Sequence, residues 1–467
     1  MVGRSVHIAV EHSLDPLFYI YPPLAFYVFA VAESILRLLP GQQLGLATQV
    51  DPSAEILAAR LTSAASFVGA TGFLYLAAAR NRGWLAGLVA ASLFAVAPLA
   101  VRQAHFATTD MLACGLLAAV FWAGTVAGSR RGFLLAGFLC GLAAATKYTS
   151  GVAIVYLLVL AVSAEDRPWR AASALAGAAL AFTAPLLLAA PPERYLEGLR
   201  FLARRSAEGY GSLPIGLIYH PTHSLLVGFG LGSLLLALAG GILAAARRRP
   251  LDLALLAFLA AYLAVVGFSH EVFFRYSLPM LPALSLLAAS LSELASTGRR
   301  AALLGVVTAL LLAPSAVDSG LSDRLLTRAD TRAQAAAWLD TNAQPGSSVA
   351  VSSYWAEPFY DDAALATRPL HPLYLTGNRI ADSFQLGRYT RRLLVNQPAP
   401  RCYQLATSGP PWQSPVPPGG VATFAAYRGA SPPSFGYDPL DSFYLPLNGL
   451  WGIERPGPSV AIREGCQ

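Results

Sequence analysis

The chain has 467 residues, of which 55% are hydrophobic and only 13% are charged, and its mean hydropathy is +0.51. Ordinary soluble domains carry about 25% charged residues, so a soluble fold of this composition would expose large apolar patches. The composition therefore predicts an integral membrane protein. The net charge of +7 does not indicate nucleic-acid binding, because the arginines lie in short clusters between apolar runs and no nucleic-acid motif is present.

The first apolar stretch, residues 22–39, is predicted to be a helix in the membrane interface rather than a span. It opens with Pro22 and Pro23 and carries Glu33 and Arg37. Charges deep in a lipid-facing helix are costly, whereas a helix lying in the interface keeps them in water. We expect residues 1–60 to form an extracytoplasmic loop that contains this juxtamembrane helix.

Ten further apolar stretches approach the length of a transmembrane helix, which needs about 20 mostly apolar residues and at least about 17. They predict an all-α polytopic membrane bundle over residues 61–317. The predicted spans are 61–79, 84–99, 111–128, 133–147, 150–164, 171–190, 224–246, 252–268, 278–296 and 301–317.

Short arginine-rich connections fix the predicted orientation of these spans. Eleven arginines lie in alternate connections, and such charges are retained on the cytoplasmic side. The other connections, and everything after residue 318, are then outside the cytoplasm, and the chain is expected in the plasma membrane. The arginine-rich connections are 80–83, 129–132, 165–170, 247–250 and 297–300.

Residues 318–467 have a different composition and are predicted to form a small soluble α/β or mixed domain outside the membrane. Segment 328–343 reads as an amphipathic helix and segment 347–353 as a strand, and residues 410–420 are rich in proline. An extracytoplasmic location would allow Cys402 and Cys466 to pair as a disulfide.

Three polar clusters fall on the predicted outer side. The first, VRQAHFATTD, contains Arg102, His105 and Asp110. Asp110 has two readings: it caps the next helix and favours its dipole, or it is a catalytic or metal-contacting carboxylate.

The second cluster, AAATKYTSG, contains Lys147, the only lysine among 33 basic residues. One reading is a lysine that snorkels at a helix end beside an interfacial Tyr148. The other is a phosphate ligand, because a compact ammonium suits this role and a cation without a function is unexpected on this side.

The third cluster, SHEVFFRYSLPMLP, contains His270, Glu271, Arg275 and Tyr276. Arg275 is suited to bidentate phosphate binding, and the alternative is an ion pair with Glu271 four residues earlier. In a fourth polar region, 191–223, the part RYLEGLRFLARR reads as an amphipathic helix in the membrane interface, which could simply lie on lipid headgroups. His220 and His223 of this region are a weak zinc signal by themselves.

The order and spacing of these motifs resemble the GT-C superfamily of membrane glycosyltransferases. The pattern is similar to the protein O-mannosyltransferase and aminoarabinose-transferase-like families, and the resemblance is weaker in the C-terminal domain. It extends over residues 3–290, in the stretches GRSVHIAVEHSLDPLFYIYPPLAFYVFAV, RLTSAASFVGATGFLYLAAARNRG, AVRQAHFATTDM, LAGFLCGLAAATKYTSG and FFRYSLPMLPAL.

The resemblance implies transfer of a sugar from a polyprenyl- or dolichyl-phosphate carrier to a protein, lipid or glycan acceptor at the outer membrane face. Asp110 matches the second acidic position of the family and is the catalytic candidate, where it would orient the acceptor or a cation. Lys147 and Arg275 match positions near the carrier phosphate. The remaining substrate-contacting candidates are Arg102, His105, Tyr148, Tyr21, His270 and Tyr276.

The resemblance also implies an earlier helix and an Asp-Glu pair that have no match in this chain. We expect either that the true start lies upstream of Met1 or that the protein is an inactive relative that binds a lipid-linked sugar or a partner transferase. A transporter is less favoured, because its polar groups would lie near the membrane midplane. No cofactor is firmly predicted, and a divalent cation stays open.

Overall fold

The computed structural model separates the chain into two compact units, residues 1–35 with 57–319 and residues 36–56 with 320–467. The residues that the structure describes are 1–36, 38, 53–163, 167–209, 213–295, 298–343, 348–351, 371–374, 402–406, 419–429, 445–447 and 449–465.

The described part of the chain before residue 343 is helical. In chain order the helices are α1 (Val2–Glu11), α2 (Leu24–Leu36), α3 (Ser53–Arg82), α4 (Trp84–Ala95), α5 (Pro98–Ala104), α6 (Thr109–Val126), α7 (Arg130–Thr146), α8 (Ile154–Val162), α9 (Arg167–Ala189), α10 (Pro192–Glu208), α11 (Gly216–Tyr219), α12 (Leu226–Gly228), α13 (Leu231–Arg247), α14 (Pro250–Gly267), α15 (Met280–Ala288), α16 (Gly298–Leu326) and α17 (Thr331–Asn342).

Short turns of helix extend or connect several of these elements. Turns of 3-10 type cover Tyr148–Ala153 before α8, Phe274–Ser277 before α15 and Ala289–Leu294 after α15. A π-type turn over His220–Leu225 joins α11 to α12.

The helices confirm the predicted polytopic membrane fold. Each of the ten predicted spans lies on one helix or on a pair of consecutive helices. Among the described residues, α3, α6, α9, α14 and α16 are each long and apolar enough to cross a membrane, which makes five. The count rises to seven if α4 with α5, and α11–α12 with α13, each form one span bent by 67° and 118°.

The predicted juxtamembrane stretch contains α2, and a second helix, α1, packs against it. Glu33 of α2 is fully buried, and the Ser5 hydroxyl of α1 donates a 2.6 Å hydrogen bond to its carboxylate. The Glu33 carboxylate, one of the charges that made a lipid-facing span improbable, is therefore buried inside the protein. That α2 lies in the membrane interface stays a prediction.

Small residues allow α7 and α9 to pack closely. A Cβ on Gly137 of α7 would lie 2.0 Å from the carbonyl oxygen of Ala174, and one on Gly177 of α9 would lie 2.2 Å from that of Leu134. Close approach of backbones at small residues is a common way for membrane helices to associate. This contact sets the position of the end of α7, where Lys147 follows.

A group of ion pairs, here called the arginine network, connects helix ends at one end of the bundle; its members are Arg82, Arg247, Arg249, Asp252 and Glu293. Arg82 at the end of α3 pairs with Asp252 at the start of α14, and its Nε lies 2.8 Å from Glu293. Arg247 and Arg249 pair with the same Glu293 at 2.5 and 2.7 Å. Residues in or beside three of the predicted arginine-rich connections, 80–83, 247–250 and 297–300, therefore meet at one end of the bundle.

The opposite end of the same helices carries the polar clusters. Thr125, near the end of α6, accepts a hydrogen bond from Arg80 through its carbonyl oxygen, so this end of α6 lies beside the end of α3. Asp110 is at the other end of α6. Lys147 likewise follows the end of α7 that is remote from its arginine-rich start.

The C-terminal unit contains a five-stranded sheet in the order β2-β1-β3-β5-β4. Its strands are β1 (Ser348–Val351), β2 (His371–Tyr374), β3 (Cys402–Ala406), β4 (Ala422–Phe424) and β5 (Val460–Glu464). Strand β1 pairs in parallel with β2 and β3, whereas β5 pairs antiparallel with β3 and β4.

This mixed sheet and the helix α17 confirm the predicted α/β or mixed domain. Leu339 of α17 packs in one buried cluster with Tyr403, Leu405 and Ile462 of the sheet. The helix predicted over 328–343 and the strand predicted over 347–353 are α17 and β1. Cys466 lies outside the described residues, so its pairing with Cys402 stays a prediction.

Candidate active site

Asp110 and Lys147 form a buried ion pair at the polar end of the bundle. Thr108 has an extended backbone, with φ −123° and ψ 163°, and the next residues start α6, so Asp110 lies in its first turn. Lys147 ends α7 in an extended conformation, and its ammonium contacts Oδ1 of Asp110. Both side chains are 7% exposed.

The burial of Lys147 argues against a lysine that snorkels at the membrane surface, whereas the place of Asp110 in the first turn of α6 fits both of its readings. Lys147 does not snorkel to the membrane surface, because its side chain is buried. Thr108, the residue before α6, makes no side-chain capping bond, and the Asp110 carboxylate is engaged by Lys147 instead. Removing two charges from water costs several kcal/mol per ion, a cost that the buried Arg82–Asp252 pair at the other end of the bundle also carries.

Arg275 and Tyr276 approach this pair from the turn before α15. The Lys147 Nζ lies 5.0 Å from the centre of the Tyr276 ring, and the Arg275 Cζ lies 6.0 Å from the same centre. Arg275 also stacks on Phe273 at 4.0 Å. The Tyr262 hydroxyl of α14 donates a 3.0 Å hydrogen bond to the Tyr276 carbonyl oxygen, which fixes the turn.

Tyr21 joins the group from the segment between α1 and α2, through a hydrogen bond with Arg275. Burial raises the pKa of Tyr21, against the opposing effect of the Arg275 charge. Burial also raises the pKa of Tyr276 well above its ordinary value. Both hydroxyls therefore stay protonated near neutral pH and are available as hydrogen-bond donors.

We call Asp110, Lys147, Arg275, Tyr21 and Tyr276 the charged cluster. Asp110 lies close enough to Arg275 for a direct electrostatic interaction. Two cations beside one carboxylate can hold a phosphate, while the carboxylate orients or deprotonates a neighbouring hydroxyl. The cluster therefore combines the groups that transfer from a phosphorylated donor requires.

Glu271 lies near the charged cluster as a second carboxylate. It is buried, and it interacts electrostatically with both Tyr21 and Tyr276. Its presence offsets one of the two positive charges, so a bound phosphate would be held by local contacts rather than by a large positive field.

Three residues predicted to contact substrate, Arg102, His105 and His270, are not part of the charged cluster. Arg102 is fully buried in the last turn of α5. His105 follows it, and its Nδ1 lies 2.9 Å from the Val101 carbonyl oxygen. The His270 side chain is exposed, while its backbone N–H donates to the carbonyl oxygen of Ser206 at the end of α10. Their roles in binding substrate stay predictions.

Tyr148 is adjacent to Lys147 in the chain and packs toward α9. Its ring makes an edge-to-face contact with Phe182, with the ring centres 6.3 Å apart. Its hydroxyl is buried and has no hydrogen-bond partner among the residues that the structure describes.

His220 borders the charged cluster although its sequence context gave only a weak signal. Its side chain is fully buried, its Nδ1 lies 3.0 Å from the Ser224 hydroxyl, and its ring centre lies 6.4 Å from that of Tyr276. It belongs to the π-type turn, a distortion that is frequent at functional sites. Spacing alone places His220 and Ser224 on one helix face, but does not reveal the contact with Tyr276.

No group of three or more histidine, cysteine or acidic side chains is arranged to hold a metal ion within the described ranges. The divalent cation that the sequence left open stays a prediction.

Comparison with known proteins gives one match to a family model. Residues 44–190 match the family described as dolichyl-phosphate-mannose-protein mannosyltransferase. The matched segment contains both Asp110 and Lys147. No curated protein sequence matches the chain.

Solved structures resemble the chain over most of its length. The crystal structure of ArnT from Cupriavidus metallidurans bound to undecaprenyl phosphate is 17% identical, covers 87% of each chain and superposes with a TM-score of 0.57. Its apo form is 16% identical, with 86% and 88% of the two chains covered and a TM-score of 0.53.

A weaker likeness links the chain to the archaeal oligosaccharyltransferase AglB from Archaeoglobus fulgidus, in complex with an inhibitory peptide and a dolichol-phosphate. It is 13% identical, with 87% of this chain and 65% of that chain covered and a TM-score of 0.47. The likeness to ArnT confirms the predicted architecture: the chain has the GT-C fold of membrane glycosyltransferases.

Proposed function

We propose that the chain is a glycosyltransferase that moves a sugar from a polyprenyl-phosphate carrier to an acceptor at the outer face of the membrane. The observation that carries the proposal is the buried pair of Lys147 and Asp110 with Arg275 beside it. A carboxylate and two cations buried together at one end of a membrane bundle suit a phosphorylated lipid and a proton transfer.

The comparisons support a lipid-phosphate donor. The matching family is described by its dolichyl-phosphate-mannose substrate, and the ArnT structure contains undecaprenyl phosphate. Both molecules place a phosphate on a polyprenyl chain, and a phosphate is the group that the charged cluster is suited to hold.

In the proposed reaction the acceptor atom attacks the sugar carbon that carries the phosphate, and the bond from that carbon to the phosphate oxygen breaks. Lys147 and Arg275 stabilise the negative charge on the departing lipid phosphate, and stabilisation of this kind is often the largest single catalytic contribution. Asp110 orients the acceptor and is placed to accept its proton. Tyr21 and Tyr276 supply further hydrogen-bond donors.

The outer location follows from the positive-inside rule. The arginine network lies at the end of the bundle opposite the charged cluster. With the arginines in the cytoplasm, the donor phosphate is bound at the outer face of the plasma membrane, and the C-terminal domain lies outside. The acceptor is then a protein, a lipid or a glycan of the cell envelope.

An inactive relative that only binds a lipid-linked sugar, or a partner transferase, is the alternative proposal. Such a protein would hold the carrier phosphate in the same cluster but would not break the bond to the sugar. Binding without turnover is therefore the observation that favours this alternative.

The test is an assay of the purified full chain in liposomes with dolichyl-phosphate mannose and its glucose counterpart, with envelope extract as acceptor. Release of free dolichyl phosphate reports turnover. Arg275→Ala is expected to lower turnover by roughly 10²-fold, as loss of one charge-stabilising donor does in other enzymes. Arg131→Ala, an exposed arginine at the opposite end of the bundle, is the matched control and is expected to keep it. Equal turnover in the two variants would refute the assignment.

A further inference from the structure

Four tyrosines near the end of α9 form what we call the tyrosine cluster: Tyr19, Tyr27, Tyr148 and Tyr195. Tyr195, in the first half of α10, is 3% exposed and packs edge-to-face on Tyr19, with ring centres 5.5 Å apart. It belongs to a buried group with Ala189 and Ala190 at the end of α9, and Tyr27 of α2 packs against this group.

Tyr148 reaches the same part of α9 from the other side. Its ring contacts Phe182, and Leu186, one helical turn later, packs against the group that contains Tyr195. Residues four apart lie on the same helix face. Tyr148 and Tyr195 therefore border one stretch of α9, and they are close enough to interact electrostatically.

Hydrogen bonding divides the four hydroxyls into two pairs. Tyr19 donates to the Asp15 carboxylate at 2.9 Å, and Tyr27 donates to the Leu14 carbonyl oxygen at 2.8 Å. The hydroxyls of Tyr148 and Tyr195 are buried and lack a partner among the described residues. An unsatisfied buried hydroxyl costs about 1–3 kcal/mol, and native proteins rarely leave one in that state.

Two contacts hold helix α10, and with it Tyr195, in place. A Cβ on Gly198 would lie 2.1 Å from the Tyr19 carbonyl oxygen, so only glycine allows this approach of α10 to the segment that leads to Tyr21. Near the C-terminal end of α10, the His270 N–H donates a 2.8 Å hydrogen bond to the Ser206 carbonyl oxygen. The helix thus connects both segments that supply the charged cluster, which a helix merely resting on lipid would not do.

The chemistry of the two free hydroxyls indicates a sugar. A phenol hydroxyl both donates and accepts hydrogen bonds, as sugar hydroxyls do, and its ring can pack on the apolar C–H face of a sugar. In a lipid-linked donor the sugar is joined directly to the phosphate. Lys147 and Tyr148 are consecutive residues with Cα atoms about 3.8 Å apart, so a phosphate on Lys147 holds its sugar close to this part of the chain.

We propose that Tyr148 and Tyr195 form a subsite for the sugar ring of the lipid-linked donor, with their hydroxyls bonded to sugar hydroxyls. The inference rests on the proposed function, since it takes the phosphate to lie on Lys147. It adds a residue of α10 to the site and assigns that helix the role of positioning it.

The test uses Tyr148→Phe and Tyr195→Phe, which keep the rings and remove only the hydroxyls. Binding of dolichyl phosphate, dolichyl-phosphate mannose and dolichyl-phosphate glucose to the full chain in nanodiscs gives the contribution of the sugar. The wild type is expected to bind at least one sugar-bearing lipid about tenfold more tightly than dolichyl phosphate, equivalent to about 1.4 kcal/mol. Each variant is expected to lose most of this ratio while keeping its affinity for dolichyl phosphate.

Tyr156→Phe is the matched control, because the Tyr156 hydroxyl is also buried but donates a 2.8 Å hydrogen bond to the Phe121 carbonyl oxygen. It is expected to lower the ligand-free melting temperature and leave the sugar ratio unchanged. The two cluster variants are expected to keep the ligand-free melting temperature, since they lose no bond within the chain.

Three results would overturn the subsite. In the first, both cluster variants keep the wild-type ratio of affinity for the sugar-bearing lipid to affinity for dolichyl phosphate. In the second, the wild type binds all three lipids equally; binding of the carrier would then still support the proposed function. The third is a fall in the ligand-free melting temperature of Tyr148→Phe and Tyr195→Phe like that of Tyr156→Phe. Such a fall would show that the two hydroxyls already have a hydrogen-bond partner, such as water, without the sugar. A chain that binds none of the lipids refutes the proposed function itself.

Discussion

The ion pair of Lys147 and Asp110 makes each side chain dependent on the other. Removing one partner of a buried pair leaves an uncompensated charge, which costs about 3–5 kcal/mol. Loss of activity in a single variant of either residue would therefore mix a change in stability with a change in chemistry.

We predict that Lys147→Ala lowers the free energy of unfolding by about 3–5 kcal/mol, because Asp110 keeps its charge in a buried site. The double variant Lys147→Met with Asp110→Leu is expected to regain most of that stability, since it buries neither charge. Thermal or denaturant unfolding in detergent provides the measurement. Sugar transfer is expected to be lost in both variants, and transfer by the stable double variant would remove these residues from the mechanism.

The planar guanidinium of Arg275 provides a second prediction at this scale. Lysine keeps the charge but cannot form two parallel bonds to a phosphate. Arg275→Lys is therefore expected to lower turnover by about tenfold, with a smaller change in stability than in activity. Turnover equal to that of the wild type would show that only the charge matters.

At the scale of elements, the contact of α7 with α9 sets the position of Lys147 and Tyr148. A methyl group on Gly137 would lie 2.0 Å from backbone of α9, whereas one on Gly72 of α3 would meet no atom within 4 Å. Overpacking of this kind costs about 1–3 kcal/mol. We predict that Gly137→Ala lowers both the melting temperature and turnover, while the control Gly72→Ala changes neither.

The arginine network allows the same comparison at the other end of the bundle. Arg82→Ala leaves Asp252, 1% exposed, without its partner, and the expected loss of stability is about 3–5 kcal/mol. Arg80→Ala is the control, because Arg80 is exposed and bonds only weakly to the Thr125 carbonyl oxygen, at 3.4 Å. Both variants are expected to keep their affinity for the lipid phosphate once folded. A loss of this affinity in Arg82→Ala alone would place phosphate binding at the arginine network rather than at the charged cluster.

Apolar length predicted the long apolar helices, and arginine spacing predicted which of their ends lie together. They placed Asp110, Lys147 and Arg275 at one end of the bundle. The ion pair itself joins residues 37 apart in the chain, and no periodic pattern encodes which side chains at one end touch. Helix α1 has no counterpart among the predicted elements, because its 10 residues are too short for a span.

Tyr195 and His220 show a different limit of sequence reasoning. Both lie in the region 191–223, which reads as a surface helix with two isolated histidines. Tyr195 is buried because Gly198 lets α10 approach Tyr19, and His220 is buried within a π-type turn. Each depends on a close backbone approach or a local distortion, and neither leaves a repeating signal in the sequence.

For the whole molecule, the proposal depends on which side of the membrane each end occupies. We predict that Leu14→Cys, beside Tyr27 of the tyrosine cluster and 48% exposed, reacts with a membrane-impermeant maleimide in intact cells. Arg131→Cys, at the start of α7, is expected to react only after the membrane is opened. Both would be introduced into a chain in which Cys402 and Cys466 are replaced by serine. Labelling of both sites from the same side would contradict the predicted topology.

The most direct test of the central claim is an experimental structure of the full chain with dolichyl phosphate bound. We predict density for the phosphate between Lys147 and Arg275, with oxygen atoms about 2.7–2.9 Å from both cationic groups. A phosphate bound instead at the arginine network, around Arg82, Arg247 and Arg249, would contradict the account.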